Sequence, residues 1–211
     1  MKLDQIFDES WCINLSERKD RREACDNEFY KINYYPQRFD AVKHEDGRYG
    51  CYLSHLAILK YALNTKKNVL IMEDDVEFDE DCRQVLEESL DELYDLKYDM
   101  VYFGGNILRP FFQVSKHWAR LSHCQSTHCY LIQKDFLPTA IDFLSNNPPP
   151  KTGLAIDQLY ADYLVPNCRA YICIPMIARQ RSDFSSIEHS KMTYDLPVQR
   201  YWHYLVKNEK V

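Results

Sequence analysis

Residues 69–78 read VLIMEDDVEF, and the fold turns on this stretch. Val69 to Met72 form an unbroken apolar run, the pattern of an interior strand covered on both faces in a largely parallel sheet. Three acids follow at once, Glu73, Asp74 and Asp75, where the strand is expected to surface. Side chains alternate across a strand, so Glu73 and Asp75 are expected on one side and Asp74 on the other. Two carboxylates at the mouth of a sheet suit a hard divalent ion such as Mg²⁺ or Mn²⁺, which would relieve their repulsion and bridge a diphosphate. The alternative is a solvated strand end leading into an acidic helix. Residues 73–95 hold 12 acids against one base, Arg83, so acidity is common in this region.

Working outward, residues 11–15 (WCINL) read as a short buried strand. Ser16 reads as a cap for a helix through ERKDRREACDNEF. Residues 34–42 read as a second strand, and HEDGRYG as a turn broken at Asp46-Gly47. From Cys51 the positions Tyr52, Leu56, Leu59 and Leu63 recur at helical spacing. Residues 80–96 read as an acidic amphipathic helix with Val85, Leu86, Leu90, Leu93 and Leu96 inward. Further strands are expected at 99–103, 128–133 and 169–174. Helices are expected at 134–144, 155–164 and 198–207, with NNPPPKTG (146–153) as a loop. Strands alternating with helices argue an α/β domain with a mainly parallel sheet. Ligands of such sheets sit beyond the carboxyl ends of the strands.

The chain has 211 residues, enough for one sizeable domain. It carries 26 Lys+Arg against 32 Asp+Glu, for a net charge of −6, which disfavours a nucleic-acid partner. Its 16 Tyr suit a cleft whose walls are half wet. No apolar run approaches the roughly 20 residues a bilayer span needs. The first residues, MKLDQIFDES, place acids where a secretory leader needs apolar ones, so a reducing, cytoplasmic setting is expected, with the eight Cys as thiols. HCQSTHC (123–129) invites a zinc reading. Residues five apart on one strand point to opposite faces, however, and buried thiols are preferred.

Other stretches could bind anions. Arg18, Lys19, Arg21 and Arg22 follow the first strand, where a helix N-terminus and an Arg could hold a phosphate. The alternative is a solvated face in which Asp20 pairs with a neighbouring Arg. Ser54 and His55 could contact phosphate or brace the metal loop, or be a satisfied buried pair. Gly104-Gly105-Asn106 ends a strand, and its glycines could let backbone approach a sugar or merely make a turn.

Taken in order, INLSERKDR (13–21), RFDAV (38–42), YGCYLSH (49–55), VLIMEDDVEF (69–78), YFGGN (102–106), THCYLIQKDF (127–136), AIDQLYADYL (155–164) and QRSDFSSI (180–187) make the chain resemble glycosyltransferase family 25. That family includes galactosyltransferases of bacterial lipooligosaccharide and procollagen galactosyltransferases. The resemblance covers roughly residues 10–190, with YGCYLSH and the downstream acids its most specific parts. It implies one GT-A type domain. Its donor-nucleotide half would span about 10–110, its acceptor half about 111–190, and a helical tail about 191–211. It further implies a divalent metal (Mn²⁺ or Mg²⁺), a UDP-sugar donor, inversion at the anomeric carbon, and a glycan or hydroxylysine-type acceptor.

Under the resemblance, Glu73 and Asp75 take the part of the acidic metal motif, and Asp74 joins the donor-binding residues. Asn14, Leu15, Arg18 and Arg21 match the first donor-side motif, and Phe39, Asp40 and Ala41 the second, near the nucleoside. Ser54, His55, Gly104, Gly105, Asn106 and Gln180 are placed around the donor, with Arg181 and Asp183 near the sugar or the acceptor. One-step inversion needs a base for the acceptor hydroxyl, and Asp157, early in a helix, is the candidate. It could instead cap free backbone amides. His189 is the candidate third metal ligand. The chain departs from the family where its late Ser-Asp-Ile is Ser185-Ser186-Ile187.

Overall fold

The structure, a computed structural model, describes residues 7–80 and 82–182 and the backbone of residues 184, 185, 190 and 191. In chain order the elements are β1 (Glu9–Asn14), α1 (Lys19–Ile32), β2 (Gln37–Asp40), α2 (Gly47–Thr65), β3 (Val69–Glu73), β4 (Val76–Phe78), α3 (Cys82–Asp95), β5 (Met100–Tyr102), β6 (Phe112–Gln113), β7 (Trp118–Arg120), β8 (Cys129–Ile132), α4 (Leu137–Asn146), α5 (Pro149–Thr152), α6 (Ile156–Leu159), β9 (Ala170–Cys173), β10 (Ala178–Gln180), β11 (Phe184–Ser185) and β12 (Ser190–Lys191).

Eight strands form the central sheet in the order β2-β1-β3-β8-β5-β9-β7-β6. β1 runs parallel to β2 and β3, and β5 parallel to β9. β8 lies antiparallel between β3 and β5, and β7 antiparallel to β9 and β6. Traced through these pairings, only β8 and β7 oppose the common direction. The result is the mainly parallel α/β sheet expected of a GT-A type domain.

Period-two alternation along β3 divides the core. Val69 and Ile71 face α2, α4 and α6, packing with Leu56, Leu59, Ala140, Leu144 and Leu159. Leu70 and Met72 face α1 and α3, packing with Phe29, Leu86, Leu90 and Leu93. Each fully buried Leu or Ile contributes about 1.5–3 kcal/mol relative to exposure. Both faces of β3 are thus covered, as its apolar run requires. On α3, Leu86, Leu90 and Leu93 are buried while Val85 and Leu96 pack at the margin, which matches the expected inward face.

Several expectations are corrected. Ser16 is not the cap of α1: Arg18 occupies that position without a side-chain cap bond, and Ser16 Oγ instead meets Glu17. The second strand shortens to four residues. The Asp46-Gly47 break becomes the start of α2, with the Asp46 carboxylate accepting the Arg48 N–H at 3.0 Å. The Pro-rich loop contains a helical turn, α5, closed by Gly153 at φ 74°. The helix expected at 155–164 divides into α6 and a π-helical turn, Tyr160–Leu164. The helix expected at 198–207 lies outside the described residues. No helix among the described residues is long and apolar enough to cross a membrane.

Candidate active site

Sheet register gives each of the three acids a different neighbour. Ile13 pairs with Glu73 across β1–β3, which brings the next residue, Asn14, to Asp74. Asn14 Nδ2 donates to Asp74 at 2.7 Å, and Arg21 from α1 donates at 2.9 Å. β8 pairs antiparallel on the other side, and Glu73 N–H donates to the His128 carbonyl at 3.0 Å. Thr127 is thereby placed to donate its hydroxyl to Glu73 at 2.6 Å. β4 and β10 form a separate antiparallel ribbon with Val76 opposite Gln180. Gln180 Nε2 then donates to one Asp75 oxygen at 2.9 Å, and Arg181 N–H donates to the Asp75 carbonyl at 2.7 Å. The other carboxylate oxygen of Asp75, Oδ1, is buried and has no hydrogen-bond partner.

The strand end therefore does not surface: Asp74 and Asp75 are each only 8% exposed. All three acids line a cavity of about 620 Å³, within the usual range for small-molecule sites. Burial, then the neighbouring Glu73 charge, pushes Asp75 up to about 7. Burial also acts to raise Glu73, but His55 and Thr127 outweigh it and hold Glu73 below its ordinary value. Asp157 lies on the same cavity and is raised by burial. Its carboxylate accepts N–H bonds from Gln158 at 2.9 Å and Ser126 at 3.3 Å. Ser126 adopts φ 80°, uncommon for a residue with a Cβ, and its hydroxyl holds Gln180 at 3.2 Å. Arg18, Arg21, Lys43, Arg48 and Arg181 add positive charge to the lining. An unpartnered carboxylate oxygen beside a second carboxylate is a donor set that fits a hard divalent cation.

The family model for glycosyltransferase family 25 (LPS biosynthesis protein) matches residues 45–146. A glycosyltransferase 25 family member of Drosophila melanogaster and another of Drosophila pseudoobscura pseudoobscura are each 30% identical over 139 residues, covering 52% of this chain and 22% of the relative. Over residues 45–146 this chain is similar to glycosyltransferase family 25. It spans about a fifth of the length of those curated relatives. Among solved structures, a glycosyltransferase involved in the glycosylation of the major capsid of PBCV-1 is 13% identical with a TM-score of 0.47, covering 77% of this chain and 79% of that one. A mannose-1-phosphate geranyltransferase from Thermus thermophilus is 13% identical with a TM-score of 0.42, covering 77% and 58%.

Of the residues that the family-25 motifs single out, Asn14, Leu15, Arg18, Arg21, Ala41, Ser54, His55, Glu73, Asp74, Asp75, Asn106, Asp157, Gln180 and Arg181 all line the cavity. Four do not. Phe39 packs edge-on against Trp11, and Asp40 is exposed at the end of β2. Gly104 and Gly105 serve close packing: a Cβ on Gly104 would stand 1.7 Å from the Ala178 carbonyl oxygen, and one on Gly105 2.4 Å from Cys124 Sγ. Ser54 spends its hydroxyl within the protein, accepting from Val42 N–H and donating to the Gly50 carbonyl, both at 2.8 Å. Arg18 pairs with Asp20 at 2.7 Å, as the alternative reading of that basic turn has it. Asp183, Ser186, Ile187 and His189 lie outside the described residues.

Sequence reasoning missed Lys43, Arg48, Cys51, Gln125, Ser126 and Thr127 as cavity residues. Cys51 carried a usable signal, since Cys-x₃-His puts both side chains on one helical face. In HCQSTHC, His123 pairs with Asp162 at 3.2 Å. His128 Nδ1 meets Ser126 Oγ at 2.6 Å, and burial lowers the His128 imidazole to about 4. Cys124 and Cys129 are buried free thiols.

Proposed function

We propose that this chain is a metal-dependent inverting glycosyltransferase that moves a hexose, galactose or glucose, from a UDP-sugar to a hydroxyl of a glycan or of a hydroxylysine-type protein acceptor. The observation that carries the reading is the pairing of Asp75, with its unpartnered oxygen, and Glu73 on a cavity that also holds Asp157. Glu73 and Asp75 would hold Mn²⁺ or Mg²⁺, which when bound stabilises the charge of the departing diphosphate. Asp74 has another task. Tied to Asn14 and Arg21, it fixes the N-terminal turn of α1 against β3 and keeps the basic side of the cavity in register. Lys43 and Arg48, from the segment between β2 and α2 and the first turn of α2, bring cationic charge to the anionic donor.

Asp157 takes the proton of the acceptor hydroxyl onto a carboxylate oxygen. Burial raises its proton affinity, which suits a base better than an ordinary exposed aspartate. The N–H bonds from Ser126 and Gln158 fix the direction in which it faces. The deciding experiment incubates the chain with a panel of UDP-sugars and Mn²⁺, reading UDP release and thermal shift. Stabilisation by UDP only in the presence of the metal, with release driven by one sugar donor, is expected. UDP that neither binds nor is released under any of these conditions rejects the assignment.

A further inference from the structure

One turn of α2 presents Cys51 and His55 on the same face, and Glu73 arrives opposite them at the end of β3. One donor atom from each, a sulfur, an imidazole nitrogen and a carboxylate oxygen, lies within 4.8 Å of the other two. Tetrahedral zinc with ordinary bond lengths sets its ligand atoms about 3.4–3.8 Å apart, so closure needs shifts of up to about 0.6 Å per residue. His55 is fully buried. Its Nδ1 is held by the Tyr130 hydroxyl at 2.7 Å, and that hydroxyl lies 3.4 Å from the hydroxyl of Tyr160. This support orients the ring as outer-sphere partners orient metal-bound imidazoles. The opposite nitrogen, Nε2, stands 3.3 Å from Glu73 Oε1, at ion-pair distance but outside hydrogen-bond geometry. A buried imidazole nitrogen that faces a carboxylate beside a thiol without a well-formed hydrogen bond is an arrangement that a cation would satisfy.

We infer that Cys51, His55 and Glu73 form a site for a borderline divalent cation of the zinc class, next to the hard-ion pair and sharing Glu73 with it. The mixed sulfur, nitrogen and oxygen donors select against Mg²⁺ and Ca²⁺, which prefer oxygen alone. All three residues line the cavity, which leaves the fourth coordination position open to water or an anionic ligand. As the cation binds, the Cys51 thiol releases its proton to solvent and the sulfur donates as thiolate. The imidazole binds through the Nε2 lone pair with its proton on Nδ1, directed at the Tyr130 oxygen, and any proton that Nε2 carries toward Glu73 before binding is released to solvent as well. No electron transfer is involved. The site shares one residue with the proposed transferase centre but does not depend on that reading.

Cobalt(II) reports such a site directly, because thiolate coordination gives a near-ultraviolet charge-transfer band and tetrahedral geometry gives visible bands. Titration of the reduced full chain with Co²⁺ is expected to give both at one equivalent, and Zn²⁺ to displace them. Cys51→Ser removes the charge-transfer band. Tyr130→Phe weakens Co²⁺ binding about tenfold while keeping the spectrum. Asp75→Ala keeps the band. Should Cys51→Ser fail to fold, protection of Cys51 from iodoacetamide by Zn²⁺ in the unaltered chain, read by mass spectrometry, replaces it. Absence of the band, its survival in folded Cys51→Ser, its loss in folded Asp75→Ala, or no protection of Cys51 overturns the inference. A missing band with intact Mn²⁺-dependent UDP binding removes this site alone. A present band without UDP binding removes the transferase reading alone.

Discussion

Asp99 and Asp75 stand at opposite ends of the same sheet, Asp99 just before β5 and Asp75 just after β3, on strands that run the same way. Asp99 is surrounded by donors from Arg169: the backbone N–H at 2.7 Å, Nε at 3.0 Å and Nη2 at 2.5 Å. Partial burial acts to raise it, but these bonds win and hold it below its ordinary value. Asp75 receives one neutral amide, has a second carboxylate for a neighbour, and rises to about 7. Asp74 is given Arg21 and Asn14. An acid that only closes a strand end is supplied with a cation by the fold. An acid left under-bonded and beside a like charge destabilises the fold, and that cost is a reason to look for a ligand.

The comparison breaks most decisively if Asp75→Ala leaves metal-dependent UDP binding intact; complete loss by calorimetry is expected. Next in size, Asp157→Asn should lower the transfer rate by about 10²–10⁴-fold while sparing UDP binding, as removal of a general base does. Transfer at the original rate would remove Asp157 as the base. The third test uses pH. Protons compete with the cation for Asp75, so Mn²⁺ affinity should drop about tenfold for each pH unit below 7. An affinity flat between pH 5 and about 7 would show that the carboxylate is ionised throughout.

Stability sharpens the contrast further. Asp75 sits above its unfolded value of 3.8, so the metal-free native state holds a proton that the unfolded chain has already lost, and stability falls as pH rises from about 4 to 7. Asp75→Asn should therefore stabilise the metal-free chain at pH 8, by no more than a few kcal/mol. Asp99→Asn should act in the other direction and least of all. A loss of about 1–2 kcal/mol in denaturant melts is expected, because Arg169 is half exposed and water replaces part of the pair. Equal and same-sign changes in the two variants would dissolve the distinction.

The acid-bearing strand was legible because four consecutive apolar residues admit one environment, and the acids after them had to mark its end. Alternation was expected to separate Asp74 from Glu73 and Asp75; β3 ends at Glu73, and it is the turn that follows which gives the three acids different partners. The reversed direction of β8 was not legible, since an interior strand is apolar on both faces whichever way it runs. The β4–β10 ribbon was missed because three-residue strands carry too few positions to show a period. Without that ribbon the acids were expected at the surface, when in fact they wall a cavity. Gly104 and Gly105 show the limit from the other side. A sugar or a turn was expected to use them, and what approaches is the protein's own Ala178 carbonyl and Cys124 sulfur.

Gln180 reaches Asp75 across 105 positions of sequence, and Ser126 must be in place to hold Gln180. Contacts that distant form only after the intervening chain has collapsed, and they contribute slow steps to folding. Closing the pocket therefore requires contacts far apart in the sequence. A nascent chain whose residue 180 has not yet emerged lacks the amide that holds Asp75, and with it one wall of the place where a ligand would land.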